Sequence, residues 1–377
     1  MPPPSQWELQ PIRLPLQFVV KEDFTGGTIR DPLTRRQWTV AAPFDARVRE
    51  LVHDWSPSSP ELIEEMIVTA LKIARDQLSV ADLKLINRSV KEMRYAAKVF
   101  APFQRFRKVA VFGSARTLPS APEFKVAEDF GREMVAHNYM VITGGGDGIM
   151  GAAQRGAGRK HSFGLNNRLP FEQRANETIE GDPKSINVNY FFTRKLNFVK
   201  ETHAFALFPG GFGTLDETFE VLTLMQTGKA RVIPVVLLDR PDGIYWETWM
   251  NFLTQRLLRF GFISKEDFSF FKIAHNVREA VREILQFYKI YHSARWVGKK
   301  LVIRISHPLS KKGIADLNER FSDTLRTGEI VQGVALRQEK NKPEIWDLPR
   351  LILTPNRRSF GRFRQLIDSI NATQAAE

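Results

Sequence analysis

The chain has 377 residues, 43% of them hydrophobic and 26% charged, the balance of an ordinary globular protein. It contains no cysteine, which excludes disulfides, thiolate-ligated zinc and thiol catalysis, and no apolar run approaches the ~18–20 residues of a membrane span. Its net charge of +13 favours acidic or phosphorylated partners.

Single cores rarely grow beyond about 250–300 residues, so this length suits about two domains. The start, Met1-Pro2-Pro3-Pro4-Ser5, has no charged stretch leading into an apolar one. No secretory leader is therefore read, and a soluble cytoplasmic protein is expected. Residues 1–57 form an N-terminal extension. Within it, residues 16–20 and 36–40 read as short strands about a turn at Gly26-Gly27, and residues 54–60 form a Ser/Pro breaker cluster. Residues 58–104 are a helical segment. Leu62, Met66, Ile67, Ala70, Leu71 and Ile73 recur at helical spacing, as do Leu83, Ile86, Val90, Met93 and Ala97, which predicts a helical hairpin.

From residue 105 to 290 the pattern alternates between strand and helix. Residues 109–112 are a buried strand ending at a glycine. Residues 123–137 are an amphipathic helix with Phe124, Ala127, Phe130 and Met134 on one face. Residues 139–142 are the next strand, followed by a glycine loop and a helix of small residues. Residues 185–190, 204–208 and 232–238 read as further strands. Alternation of this kind predicts an α/β, Rossmann-like open parallel sheet with helices on both faces. Residues 291–377 are a small α+β appendage, with strands at 300–305, 329–336 and 350–354 and helices at 315–325 and 363–370. This appendage carries 16 Lys and Arg against 9 Asp and Glu. A nucleic-acid or polyphosphate surface is one reading. A solvated basic face is the preferred one, because no nucleic-acid-binding fold is recognisable.

Three glycine-bearing loops follow strands of the parallel sheet. They are Phe112-Gly113-Ser114-Ala115-Arg116, the run Gly144-Gly145-Gly146-Asp147-Gly148-Ile149-Met150-Gly151, and Pro209-Gly210-Gly211-Phe212-Gly213-Thr214. Ligands of open parallel sheets bind at the carboxyl ends of strands. Glycine lets backbone N–H groups approach an anion there, and a following helix N-terminus adds a favourable dipole. Gly146, Gly148 and Gly151 spell a dinucleotide-binding G-x-G-x-x-G. The match follows the second strand of the sheet, however, and the acidic residue expected about 20 positions on would be Glu172, in an irregular stretch; dinucleotide binding is set aside. In the third loop Thr214 is positioned to cap a helix beginning at Leu215, which would put Asp216 and Glu217 in its first turn. That places Glu217 about a sugar's length from a bound phosphate. Arg194 and Lys195 are the only cations of a helix rich in apolar residues over residues 191–199.

At these residues the chain resembles the LONELY GUY (LOG) family, long mislabelled as lysine decarboxylases. The resemblance covers about residues 107–285. The family's marker P-G-G-x-G-T-x-x-E stands complete from Pro209 to Glu217, its G-G-G-x-x-G-x-M-G loop is recognisable from Gly144 to Gly151 with one residue fewer between glycines, and its Arg-Lys pair is Arg194-Lys195. The resemblance implies a phosphoribohydrolase that converts a nucleoside 5′-monophosphate and water into free base and ribose 5-phosphate. The best-known members act on cytokinin nucleotides and others on AMP. Carried over, Arg194 and Glu217 are the catalytic pair. Glu217 would stabilise the ribosyl cation or activate water. Arg194 would hold phosphate or ribose hydroxyls and orient Glu217. The backbone of residues 210–214, with Ser114 or Arg116, would take the phosphate. Asp147 and Met150 would lie beside the nucleotide, and Glu172 would reach the base. Plant-type members have Met-His-x-Arg-Lys where this chain has Phe191-Phe192-Thr193-Arg194-Lys195, which leaves the base open. The resemblance also implies a homo-oligomer, no metal and no cofactor. The alternatives are a non-catalytic nucleotide sensor or carrier on the same fold, a pyridoxal phosphate decarboxylase with Lys195 as its only candidate Schiff-base lysine, and a nucleic-acid-binding protein using the basic C-terminal region.

Overall fold

The computed structural model describes residues 26–30, 37–41, 48–52, 59–167, 174–339 and 343–373. The expected strand at 16–20, most of the breaker cluster and Glu172 lie outside these residues. The chain divides into two compact units, Met1–Ile86 and Asn87–Glu377. In the first unit, β1 (Gly26–Arg30) pairs antiparallel with β2 (Gln37–Ala41). Gly26 and Gly27 therefore sit inside a strand and not in the expected turn. Helix α1 (Pro60–Arg75) follows, and α2 (Val80–Phe100) runs on into the second unit. Each helix lies where the apolar periodicity predicts one.

The second unit is built on a seven-stranded, wholly parallel sheet. Its strands are β3 (Arg107–Phe112), β4 (Tyr139–Thr143), β5 (Ser162–Asn167), β6 (Ser185–Val188), β7 (Ala204–Leu207), β8 (Val235–Leu238) and β9 (Phe271–Ala274). They lie in the order β6-β5-β4-β3-β7-β8-β9. Strands covered by helices on both faces lose the polar alternation of a half-exposed strand. Accordingly β4, β7 and β8 are buried along their whole length. On one face, α3 (Pro122–Ala136), α4 (Ile149–Ala157) and α8 (Val277–Phe287) bury Phe130, Met134, Ala152 and Ile284 against Val109, Val141 and Val236. On the other, α2, α5 (Phe191–Glu201), α6 (Phe212–Gln226) and α7 (Tyr245–Phe252) bury Phe100, Phe198, Met225 and Trp246 against Phe112, Ile142 and Phe205.

This second core continues into the C-terminal region. There β10 (Tyr291–Val297), β11 (Lys300–Ile305), β12 (Leu325–Gly333) and β13 (Arg350–Pro355) form an antiparallel sheet ordered β10-β11-β13-β12. Helices α9 (Lys311–Phe321) and α10 (Phe360–Ala372) pack on it. In the second unit three strands, β5, β9 and β10, go beyond the sequence reading, and α9 ends four residues before the expected helix does.

Candidate active site

Sheet order reverses direction between β3 and β7: the chain steps outward from β3 through β4 to β6, then returns to start β7 on the other side. A crevice opens at such a point because the connections diverge to opposite faces. The first and third glycine loops meet here. The Phe208 N–H donates to the Phe112 carbonyl at 2.8 Å and the Ser114 N–H to the Pro209 carbonyl at 3.1 Å. The approach is close enough to demand glycine at 210, where a Cβ would stand 2.2 Å from Thr214 Oγ1 and 3.0 Å from the Ser114 nitrogen. The Gly210 carbonyl accepts the Tyr245 hydroxyl at 2.7 Å, which ties the loop to α7.

Helix α6 starts at Phe212, not at Leu215, with Gly211 at the cap position and no side-chain cap. Thr214 is thus inside the first turn, its N–H donating to the Gly211 carbonyl at 3.1 Å. The expected Thr214 cap is replaced by a glycine start, and the leading amides of the helix keep no side-chain acceptor, the arrangement that suits a phosphate. Glu217 falls in the second turn rather than the first. Five residues at 1.5 Å each put it about 7.5 Å along the axis from Phe212.

Arg194 reaches Glu217 from α5. Its Nη1 lies 3.3 Å from Glu217 Oε1, and its Nε donates to the Leu165 carbonyl at 2.8 Å. The Arg194 side chain is half-buried and that of Glu217 buried, 13% and 4% exposed. The second glycine loop makes room for this pair, since a Cβ on Gly144 would come within 2.4 Å of Arg194 Nη2. Asn176 holds that loop in place. Its backbone N–H donates to the Gly145 carbonyl at 2.8 Å and its carboxamide to the Gly146 carbonyl at 2.9 Å. Burial pushes the Glu217 carboxyl up to about 7, even though Arg194 and Lys195 favour its ionised form. Lys195 stands aside, 2.8 Å from both Asp216 and Glu220. Despite burial, hydrogen bonds to these two carboxylates hold its ammonium above the ordinary lysine range.

Two adjoining clefts meet at Arg194. One, of 710 Å³, is lined by Gly113, Ser114, Arg116, Met150, Gly211, Gly213, Thr214 and Glu217. The other, of 1210 Å³, is lined by Gly144, Gly145, Gly146, Asp147, Asn166, Asn167, Asn187 and Phe191. Ala115, Arg116, Met150 and Arg194 border both. Ligand pockets run to about 300–1,000 Å³, so the pair has room for a nucleotide with its phosphate and base at opposite ends. Of the residues expected at the site, Pro209 and Gly210 support the loop from behind, and Lys195 and Asp216 join α5 to α6 beside the cleft. The asparagines at the ends of β5 and β6, together with Asn176 and Tyr245, were not expected. Asn166-Asn167 directly after an apolar segment was the one available signal. Among the described residues, no group of three His, Asp or Glu side chains is placed to hold a metal ion, and no helix is long and apolar enough to cross a membrane.

A family described as "Possible lysine decarboxylase" matches residues 150–284. The cytokinin riboside 5′-monophosphate phosphoribohydrolase LOG7 of Arabidopsis thaliana is 32% identical over 189 residues, 48% of this chain and 83% of that protein. LOG3 of the same plant, carrying the same enzyme name, is 29% identical over 187 residues, 48% of this chain and 84% of that protein. Among solved structures, the molybdenum cofactor carrier protein of Chlamydomonas reinhardtii matches 48% of this chain and 98% of its own at 20% identity, with a TM-score of 0.33.

Proposed function

The chain belongs to the LOG family, and from that premise we propose that it hydrolyses the N-glycosidic bond of a nucleoside 5′-monophosphate. The observation that carries the reading is the convergence of Arg194 and Glu217 at 3.3 Å, beside the uncapped start of α6.

The phosphate would sit against the leading amides of α6 with Arg116 nearby, which sets the ribose alongside Glu217. Cleavage breaks the bond between C1′ and the base nitrogen. The electron pair leaves with the base, which takes up a proton, and hydroxide from water bonds to C1′. Positive charge builds on the ribose as the bond stretches, and an ionised Glu217 opposes it electrostatically. The same carboxylate, titrating near neutrality, can take the proton from the attacking water. Arg194 holds that carboxylate in place and favours its charged form. The base would extend into the larger cleft toward Asp147 and the asparagines of β5 and β6.

Lys195 does not fit a pyridoxal phosphate enzyme. A Schiff-base lysine must present a neutral amine, whereas this ammonium is held charged by two carboxylates. The direct test is a panel of nucleoside monophosphates scored by chromatography for free base and ribose 5-phosphate. We expect release from at least one by the wild type. Glu217→Gln should lower turnover by about a thousandfold or more while calorimetry still records binding. Undiminished turnover in that variant refutes the assignment.

A further inference from the structure

Helix α5 carries Arg194 one turn from its start, yet nothing in its own sequence caps it. Tyr190 occupies the cap position and contributes no side-chain bond. A hold on its start comes from another element about a hundred residues earlier. Glu92 of α2 is 6% exposed. Its Oε1 accepts the Asn189 N–H at 2.9 Å and the Asn189 carboxamide at 2.7 Å, and its Oε2 accepts the Thr193 hydroxyl at 2.7 Å. A carboxylate there also meets the positive end of the helix dipole.

Burying a carboxylate is costly unless it is fully hydrogen-bonded. Glu92 meets that condition: despite burial, the bonds from Thr193 and Asn189 keep it below the ordinary carboxylate range. Packing alone does not call for a charge here. The same helix already buries Ala96 and Phe100, the latter stacked on Phe163 of β5 at 4.6 Å. What the charge does is fix the first turn of α5. Thr193, which it grips, is the neighbour of Arg194. A small rotation of that turn would swing the guanidinium away from the Leu165 carbonyl and Glu217.

We propose that Glu92 is a positioning residue of the site, clamping the start of α5 so that Arg194 meets Glu217. The kinetic consequence rests on the hydrolase reading above; the structural one does not. Glu92→Gln keeps the shape but turns an amide NH2 toward donors, and Glu92→Asp keeps the charge on a shorter stem.

The test follows the Glu217 carboxylate by carbon NMR titration in the full chain. Burial raises its midpoint, Arg194 and Lys195 lower it, and Glu220 and Asp216 raise it further; none of these residues is altered by the substitutions. Loosening Arg194 should move the midpoint upward by about 0.5 pH or more in the Gln variant, with partial return in the Asp variant. Turnover of the nucleotide should fall roughly tenfold in kcat, with KM changed less than about threefold. A folded Gln variant with an unmoved Glu217 midpoint overturns the proposal whether or not the protein turns over. A moved midpoint in a protein whose wild type cleaves no nucleotide keeps the clamp and discards the hydrolase. Should the Gln variant not fold, Thr193→Val removes one donor without touching a charge, and an unmoved midpoint there overturns the proposal equally.

Discussion

The burial that fits Glu217 for its proposed role also bears on stability. Its ordinary carboxyl value of 4.5 is pushed by burial to about 7. The sign of the consequence follows from which state holds the proton. Between pH 4.5 and 7 the unfolded chain has released the proton and the folded chain still binds it. The stabilisation is therefore complete below pH 4.5 and lost as the pH rises to 7. That loss is on the order of 3 kcal/mol. Glu217→Gln has no proton to lose. Denaturant midpoints should show the variant gaining on the wild type between pH 5 and pH 8, by an amount of that order; parallel pH profiles for the two proteins would contradict a buried, high-titrating carboxyl. On the proposed reaction the same ionisation predicts that kcat/KM rises through pH 7 and levels off above it, since the charged form is the one that would oppose ribosyl cation charge.

Among the elements, the two glycine loops after β3 and β7 act as one piece, zipped by the bonds at Phe112 and Pro209. A methyl at position 210 would press on Thr214 and Ser114 together. Gly210→Ala should therefore part the amides proposed to hold the phosphate from the β3 loop and raise KM for a nucleotide about tenfold, with kcat changed far less. Overpacking of this kind also costs about 1–3 kcal/mol of stability. If steady-state kinetics show kcat falling instead, the loop is part of the reacting geometry rather than the phosphate cradle. Legibility from sequence follows the same division. The loops could be read because each is contiguous and follows an apolar strand. The start of α6 was misplaced by three residues because glycines at 211 and 213 are poor helix formers; here tertiary contacts and the turn geometry outweigh propensity. Strands β5 and β9 were missed for different reasons. The first, Ser162–Asn167, is polar at both ends because it delivers asparagines to the cleft, and the second is four residues long with a lysine in it. Glu92, Asn176 and Tyr245 act across the fold, so no local pattern marks them.

At the scale of the whole second unit, the question is whether the C-terminal sheet is an independent body. Its side chains argue otherwise. Leu301, Ile303 and Leu351 belong to the same buried cluster as Phe205 and Leu237 of the parallel sheet. Asn371 of α10 stitches the junction, its Oδ1 accepting the Ile290 and Tyr291 N–H groups at 2.8 and 2.9 Å and its Nδ2 donating to the Phe287 carbonyl at 2.7 Å. Inside the small sheet the buried carboxylate of Glu339 sits between two buried arginines, 2.5 Å from Arg304 Nη2 and 3.3 Å from Arg350 Nε. Removing one member of such a cluster leaves charge stranded in a low-dielectric interior, which costs about 3–5 kcal/mol. Glu339→Ala should consequently lower the unfolding midpoint of the entire second unit in a single transition, the fluorescence of Trp246 beneath the parallel sheet changing together with that of Trp296 in the C-terminal one. Single-tryptophan variants followed in denaturant would separate the cases. An early loss of Trp296 signal, with Trp246 unmoved, would mean that the apolar continuity across residue 290 does not couple the two sheets, and that the basic region folds on its own account.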